Sequence, residues 1–175
     1  SESGSEEQDS ENDESEEEEQ DLYSMFPSRV AQKLKQGVKV DNERYEQVTL
    51  LFADIARYKR LSKYLAPSTL KKVVAHMHDV MDRLCKVHDV FKIETTGTSY
   101  MAAAGLPDPQ PDHAARVARF ASDILNAVRE MSSEVPSLEN LLQLRVGCHT
   151  GNVVASVVGN QTLRYYLFGQ TVNVT

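Results

Sequence analysis

Acidic side chains stand at the ends of short apolar runs, where a strand could present them for chemistry. Asp54 closes the run VTLLFADI at 48–55. A carboxylate at a strand tip can ligate a hard cation such as Mg²⁺, face solvent, or cap a following helix. On this pattern alone, a solvent-facing or capping role is the better interpretation.

Two cations follow Asp54 closely and could attract a phosphate. Arg57 and Lys59 stand directly after the apolar run. A solvated surface accounts for them equally well, so both interpretations stay open.

The sulfur and imidazole side chains do not indicate a metal or disulfide framework. Cys85 and Cys148 are far apart in the chain and lack metal-ligand spacing, which fits a reducing compartment. The five histidines show no zinc-ligand spacing, so we interpret them as structural.

Four segments, taken in order, resemble the motifs of class III nucleotidyl cyclase catalytic domains, most closely those of guanylate cyclases. They are VTLLFADI at 48–55, KIETTGTSYMAAAGLP at 92–107, LRVGCHTGNVVASVVG at 144–159 and RYYLFGQTVN at 164–173. The segment MFPSRVAQKLKQG at 25–37 resembles the linker that precedes the domain in guanylate cyclases. The resemblance implies a ferredoxin-like sandwich. It also implies a reaction in which a ribose 3′-oxygen attacks the α-phosphorus of a nucleoside triphosphate and pyrophosphate leaves.

One half of the active site implied by this resemblance binds two divalent ions, Mg²⁺ (or Mn²⁺). Asp54 matches one of the family's two metal-bridging carboxylates, and Ile55 matches a residue that offers its backbone carbonyl. Thr98 stands where the second carboxylate is expected. A neutral hydroxyl brings no charge to the ions, so we expect this half-site to hold metal poorly.

The other half recognises the purine and assists the reacting phosphorus, and the family assembles both halves across a dimer interface. Glu94 matches a position that carries Glu in guanylate cyclases, where a carboxylate can accept hydrogen bonds from guanine. The alternative for Glu94 is a strand residue paired with an Arg or Lys. Asn173 matches the asparagine that positions the ribose, and its family partner, an Arg four residues later, would lie beyond Thr175.

Several positions depart from the family pattern. Tyr166 stands where guanylate cyclases usually have Cys, and its ring could narrow the purine pocket. Arg57, Tyr58 and Lys59 take the place of a loop that lends backbone N–H groups to the phosphates. Arg57 replaces a glycine there and cannot adopt glycine geometry freely.

Three functions remain open at this point. The first is a guanylate cyclase that forms cGMP from GTP. The second is a degenerate subunit that completes a partner's active site, which the residue at 98 favours. The third is a module that binds nucleotide or protein through the same dimer face without catalysis. The expected partners are GTP and a second cyclase domain, with a heterodimer favoured over a homodimer and no nucleic acid.

The elements that would position these residues can be predicted from periodicity and turn signals. They predict an α+β fold with a mainly antiparallel sheet and helices on one face. The elements are a helix at 22–37, a strand at 48–55, a helix at 67–88, strands at 90–95 and 99–106, a helix from Asp112 to about 131, a strand pair at 144–151 and 152–159, and a strand at 164–169.

Charge divides the chain unevenly. Residues 1–21 hold twelve of the 26 acidic residues and no basic one, so we expect a disordered acidic tail. Residues 22–175 hold fourteen acidic and all nineteen basic residues, a net charge of +5. We predict a linker at 22–46 and an incomplete catalytic domain at 47–175.

The ends of the chain suggest a piece of a longer protein. It begins with Ser1 and ends within a motif, so we expect an excised fragment that is inactive by itself. No apolar run reaches the ~20 residues that a membrane-spanning helix needs, which fits a cytoplasmic domain. A membrane anchor elsewhere in the parent protein stays open.

Overall fold

The computed structural model describes residues 25–175 except 136, 137, 140 and 160–162. The acidic tail predicted at 1–21 lies outside the described residues. The elements are α1 Ser28–Lys35, β1 Glu43–Ile55, α2 Tyr58–Tyr64, α3 Pro67–His88, β2 Phe91–Thr96, β3 Ser99–Ala104, α4 His113–Glu134, β4 Leu144–Val158, β5 Arg164–Phe168 and α5 Gln170–Val174.

The strands form one five-stranded sheet in the order β2-β3-β1-β4-β5. β3 pairs antiparallel with both β1 and β2, and a bulge between Lys92 and Glu94 interrupts the second pairing. α3 and α4 contact each other and pack on β2 and β3. The predicted α+β class, with an antiparallel sheet and helices on one face, is confirmed.

The core fills the space between the sheet and the two long helices. Alternate residues of β1 and β3 face it, including Leu51, Ala53 and Tyr100, because side chains of a strand alternate between faces. Met77 and Phe120 meet them from α3 and α4 and are fully buried. Burying side chains of this size contributes about 1.5–3 kcal/mol each. The remaining residues of β1 and β3 therefore point to the opposite face.

Most predicted elements are present close to their predicted bounds. The helix predicted at 67–88 is α3, and the hairpin predicted around Gly97 joins β2 to β3, with Gly97 at a φ of +60°. Asp112 precedes α4, but its carboxylate accepts a hydrogen bond from Arg116 Nε rather than capping the helix. β1 starts at Glu43, earlier than predicted. Two short helices, α2 and α5, were not predicted.

The strand pair predicted at 144–151 and 152–159 is wrong. These residues form the single strand β4, 15 residues long. The boundary between the two predicted strands falls at Gly151, which has no positive φ and lies within the strand. Instead, a Cβ at Gly151 would overlap Thr171 Oγ1, so the glycine leaves room for a neighbouring segment.

Contacts divide the chain into two compact units. Among the described residues, one comprises those up to Glu43 together with those of 156–166, and the other comprises those of 44–155 and Leu167–Thr175. In the first unit, Val30 of α1 is buried and Arg29 forms an ion pair with Glu43 at 2.9 Å. The helix predicted at 22–37 is thus seen as α1 in its described part. Within the described ranges, no helix is long and apolar enough to cross a bilayer.

Candidate functional site

The site centres on Asp54, whose two carboxylate oxygens are both hydrogen-bonded. Thr98, in the turn between β2 and β3, donates from Oγ1 to Oδ1 at 2.7 Å. Arg145, near the start of β4, donates from Nη2 to Oδ2, also at 2.7 Å. Three strands therefore bring together a carboxylate, a hydroxyl and a guanidinium that are far apart in sequence.

These neighbours control the ionisation of Asp54. Burial alone would raise the pKa of the carboxyl, since it disfavours the charged form. The hydrogen bond from Thr98, the hydrogen bond and charge of Arg145, and the backbone N–H of Ile55 together outweigh burial, so the pKa is lowered. Asp54 is thus held as a carboxylate whose two oxygens both accept hydrogen bonds from the protein.

The donor set does not fit a pair of divalent ions. Two Mg²⁺ ions need several oxygen ligands with enough negative charge, and Asp54 is the one carboxylate at this turn. Thr98 also uses its hydroxyl proton to bond Asp54. The expectation that the residue at 98 weakens this half-site stays a prediction, and the geometry agrees with it.

A polar cluster supports the strands on either side of this turn from the core side. Tyr100 donates to Asp82 Oδ1 at 2.6 Å, and Lys92 donates to Asp82 Oδ2 at 2.7 Å. Cys85 lies 3.2 Å from the Tyr100 hydroxyl, and Lys92 also lies over the Tyr100 ring. Burial raises the pKa values of Tyr100 and Cys85, so both stay neutral at physiological pH. The cluster ties α3 to β2 and β3 and so fixes the turn.

Glu94 lies on the same sheet face as Asp54. It stands opposite Met101, which stands opposite Phe52 on β1, and directly paired residues point to the same face. Asp54 follows Phe52 by two positions and therefore shares that face. Glu94 is half-buried, and among the described residues no hydrogen bond or ion pair occupies its carboxylate.

Asn173 is exposed on α5, which is seated on β4 by a close contact. Thr171 is buried, packs against Gly151 and donates to the carbonyl of Asn152 at 2.7 Å. A Cβ at Gly147 would lie 2.6 Å from the Thr175 carbonyl oxygen. The two glycines of β4 therefore allow α5 to lie against the strand and determine where Asn173 stands.

Arg57 has a backbone conformation that is typical of glycine. It precedes α2 with φ 56° and ψ 35°, the left-handed region that costs a residue with a Cβ about 1–2 kcal/mol. Tyr58 and Lys59 follow in the first turn of α2 and are exposed. Tyr166 lies half-buried on β5, in the other compact unit. The binding roles of these four residues stay predictions.

Arg145 is the residue that the sequence pattern did not reveal. Its position inside the segment LRVGCHTG was part of the family resemblance, but the motif assigns it no role. The alternation Leu144-Arg145-Val146, with one exposed cation between two partly buried apolar residues at the start of a strand, is the signal that could have found it. Pattern alone could not pair it with Asp54, because the pairing depends on how β4 joins the sheet beside β1.

The sheet order, the two helices on one face and the carboxylate at the end of β1 agree with the family resemblance of the sequence. The family model described as the adenylate and guanylate cyclase catalytic domain matches residues 40–175. The chain belongs to this family. The beta-2 subunit of soluble guanylate cyclase from Rattus norvegicus is 41% identical over 152 residues, covering 87% of this chain. The chain spans 22% of that relative's length.

Solved structures of the same family share the fold. The guanylate cyclase domain of RhGC from Catenaria anguillulae, in complex with GTP, is 31% identical with a TM-score of 0.65, covering 75% of this chain and 70% of that one. A dimeric guanylyl cyclase domain of the RhoGC fusion protein from Blastocladiella emersonii is 29% identical with a TM-score of 0.67, covering 77% of this chain and 73% of that one.

Proposed function

We propose that this domain is one subunit of a dimeric guanylate cyclase, which forms cGMP and pyrophosphate from GTP. Its relative in Rattus norvegicus is a guanylate cyclase subunit, and its structural neighbour in Catenaria anguillulae was solved with GTP. The reaction joins the ribose 3′-oxygen to the α-phosphorus and breaks the bond from that phosphorus to pyrophosphate. The proton of the 3′-hydroxyl is released.

The observation that carries the proposal is the carboxylate of Glu94. Guanine presents two donors side by side, N1–H and the exocyclic amine, and a carboxylate can accept both. The competing interpretation, a structural pair with an Arg or Lys, finds no such partner among the described residues. Because no described residue occupies this half-buried carboxylate, it can accept hydrogen bonds from a ligand, which supports guanine recognition.

The first experiment tests whether Glu94 recognises guanine. In the full-length protein assayed with a competent partner, Glu94→Lys should reduce cGMP formation from GTP at least tenfold, because Lys can only donate. Thr95→Lys is the matched control, since it adds the same cation to the next, exposed position of β2. Undiminished cGMP formation by Glu94→Lys would remove guanine recognition from this residue.

We further propose that the working dimer is a heterodimer. The Asp54 carboxylate is engaged by Thr98 and Arg145, which favours metal binding by a partner with two intact aspartates. This chain would then contribute Glu94 and Asn173 to the partner's metal-binding half. In the alternative, a degenerate subunit, the metal-binding half of this chain would not work with any partner.

The second experiment tests the pairing with Mn²⁺ and GTP. The full-length protein alone should form little cGMP, and mixing it with an intact partner should restore activity. Thr98→Asp should raise the activity of the protein alone by adding the second carboxylate. Thr96→Asp is the control, because it adds the same charge at an exposed position of the same turn. Full activity of the unmixed protein would contradict the heterodimer.

A further inference from the structure

The surface formed by α2 and the start of α3 is unusually cationic. No Asp or Glu occurs between Ala56 and His78, and all the Lys and Arg side chains of this stretch are exposed. Among the described residues none of them forms an ion pair. We call this set the α2 cationic surface; it comprises Arg57, Lys59, Arg60, Lys63, Lys71 and Lys72.

Ser62 lies in the middle of this surface, directly after the sequence Lys59-Arg60-Leu61. Basophilic protein kinases hold two cations just N-terminal to the acceptor serine with acidic residues of their own cleft. Since no carboxylate of the described chain competes for Lys59 or Arg60, both are available to such a cleft. We infer that Ser62 is a phosphorylation site for a basophilic serine/threonine kinase.

The local structure allows a kinase to reach Ser62. Its side chain is exposed, and its hydroxyl donates only to the Lys59 carbonyl of its own helix, at 3.2 Å. α2 is seven residues long, has no side-chain N-cap and carries no acidic residue in its first turn. Cations in that turn oppose the helix dipole, and Leu61 is its one buried residue. α2 can therefore open locally into the extended form that a kinase cleft takes.

The transfer itself follows ordinary phosphoryl chemistry. The Ser62 Oγ attacks the γ-phosphorus of ATP, and the bond from that phosphorus to the β-bridging oxygen breaks. ADP leaves, and the hydroxyl proton passes to the catalytic aspartate of the kinase. The product is a phosphoserine in the last turn of α2.

The phosphate would reverse the character of the surface. It adds a charge of about −1.5 to −2 to the α2 cationic surface, three residues after Lys59, and negative charge in the last turn of a helix opposes the dipole. Attraction of polyanions such as a nucleoside triphosphate should fall accordingly. This second consequence rests on the proposed function, whereas phosphorylation of Ser62 does not.

The test uses the full chain, ATP and the purified catalytic subunit of a cyclic-nucleotide-dependent kinase, which is basophilic. Intact-mass analysis should show one phosphoryl group, and peptide mapping should place it on Ser62. Ser62→Ala and Arg60→Gln should each lose at least nine-tenths of the incorporation. Ser68→Ala should keep it, because Ser68 is exposed but follows Leu65-Ala66-Pro67. Absent incorporation, or incorporation unchanged in Ser62→Ala, would overturn the assignment.

A separate binding measurement addresses the consequence. The affinity for a fluorescent GTP analogue should fall about tenfold on phosphorylation, and the fall should be absent in Ser62→Ala. Unchanged affinity of the phosphorylated protein would refute the neutralising effect. If neither the phosphorylated nor the unphosphorylated protein binds GTP, this would count against the proposed cyclase function. It would not affect the assignment of Ser62 by mass analysis.

Discussion

Asp54 forms an ion pair with Arg145. The strength of this ion pair decides how strongly Arg145 affects Asp54. The Arg145 side chain is 73% exposed, and exposed ion pairs contribute only about 0–1 kcal/mol. Arg145 can therefore move away at small cost when a ligand approaches. The missing carboxylate at Thr98 is the larger deficit, because no movement of this chain's turn can supply its charge.

The lowered pKa of Asp54 predicts a specific pH dependence. A carboxyl whose pKa in the folded state lies below its ordinary value of 3.8 stabilises the protein above that value. That stability is lost as the pH falls through the lowered pKa. Thr98→Val and Arg145→Gln should each raise the pKa of Asp54, measured from its carboxyl carbon chemical shift by NMR. Arg129→Gln should leave it unchanged, and a further fall of the pKa in either test variant would show that these hydrogen bonds do not lower it.

Single residues could be predicted from the sequence where one continuous motif contains all the evidence for their role. Asp54, Thr98 and Glu94 each stand inside a continuous matched segment, so their positions could be assigned. Arg145 could not be assigned to Asp54, because 90 residues separate them and only the lateral order of β1 and β4 brings them together.

Among the elements, α2 begins with a strained residue. Arg57→Gly should raise the free energy of unfolding by about 0.5–1 kcal/mol, since glycine adopts a φ of 56° without a Cβ clash but loses more chain entropy. Arg57→Ala keeps the clash and removes the same charge, so it should show no gain. The stabilities of the two variants are compared by urea unfolding. Equal stability of Arg57→Gly and Arg57→Ala would mean that the backbone at Arg57 is unstrained.

The contact between β4 and α5 is a second element-scale feature. Gly151→Ala should destabilise the protein by about 1–3 kcal/mol, because the added methyl group overlaps the Thr171 side chain. It should also weaken cGMP formation with a partner by displacing Asn173. Combining it with Thr171→Ala should recover part of the stability. If the double variant is no more stable than Gly151→Ala, the overlap with Thr171 is not the cause of the lost stability.

These two elements also show why the fold was predicted unevenly. α3 was predicted to the residue, because apolar side chains repeat along its whole length and Pro67 marks its start. Gly151-Asn152 carries the composition of a hairpin turn, yet its glycine serves packing against Thr171. Composition cannot distinguish a turn glycine from a contact glycine when the contacting residue lies 20 positions later.

At the scale of the whole molecule, the two cysteines differ in how far the fold buries them. Both are free; Cys148 is exposed, whereas Cys85 is buried in the core with its pKa raised to about 11 by burial. Burial raises the pKa of the Cys148 thiol as well, so at about pH 8 a thiol reagent should label Cys148 more slowly than a free thiol, and Cys85 only when the core unfolds, since the thiolate is the reactive form. In Cys148→Ser, labelling of Cys85 should follow the urea unfolding curve. Rapid labelling of Cys85 without denaturant would show that the core opens locally.

The whole chain also combines opposite charges that a net value conceals. The described domain is basic, and an acidic segment of 21 residues precedes it. A basic domain favours polyanionic ligands at low ionic strength, and the proposed substrate, a nucleoside triphosphate, is one. Measurements of nucleotide affinity should therefore be compared at one ionic strength.

The strained arginine before α2 has a genetic consequence. Every arginine codon becomes a glycine codon by a single base change, so relief of the strain at Arg57 is always one mutation away. A destabilising side chain that is so easily lost persists most readily where its charge is used. A sequence that keeps arginine at 57 therefore forgoes a gain in stability that one base change would supply.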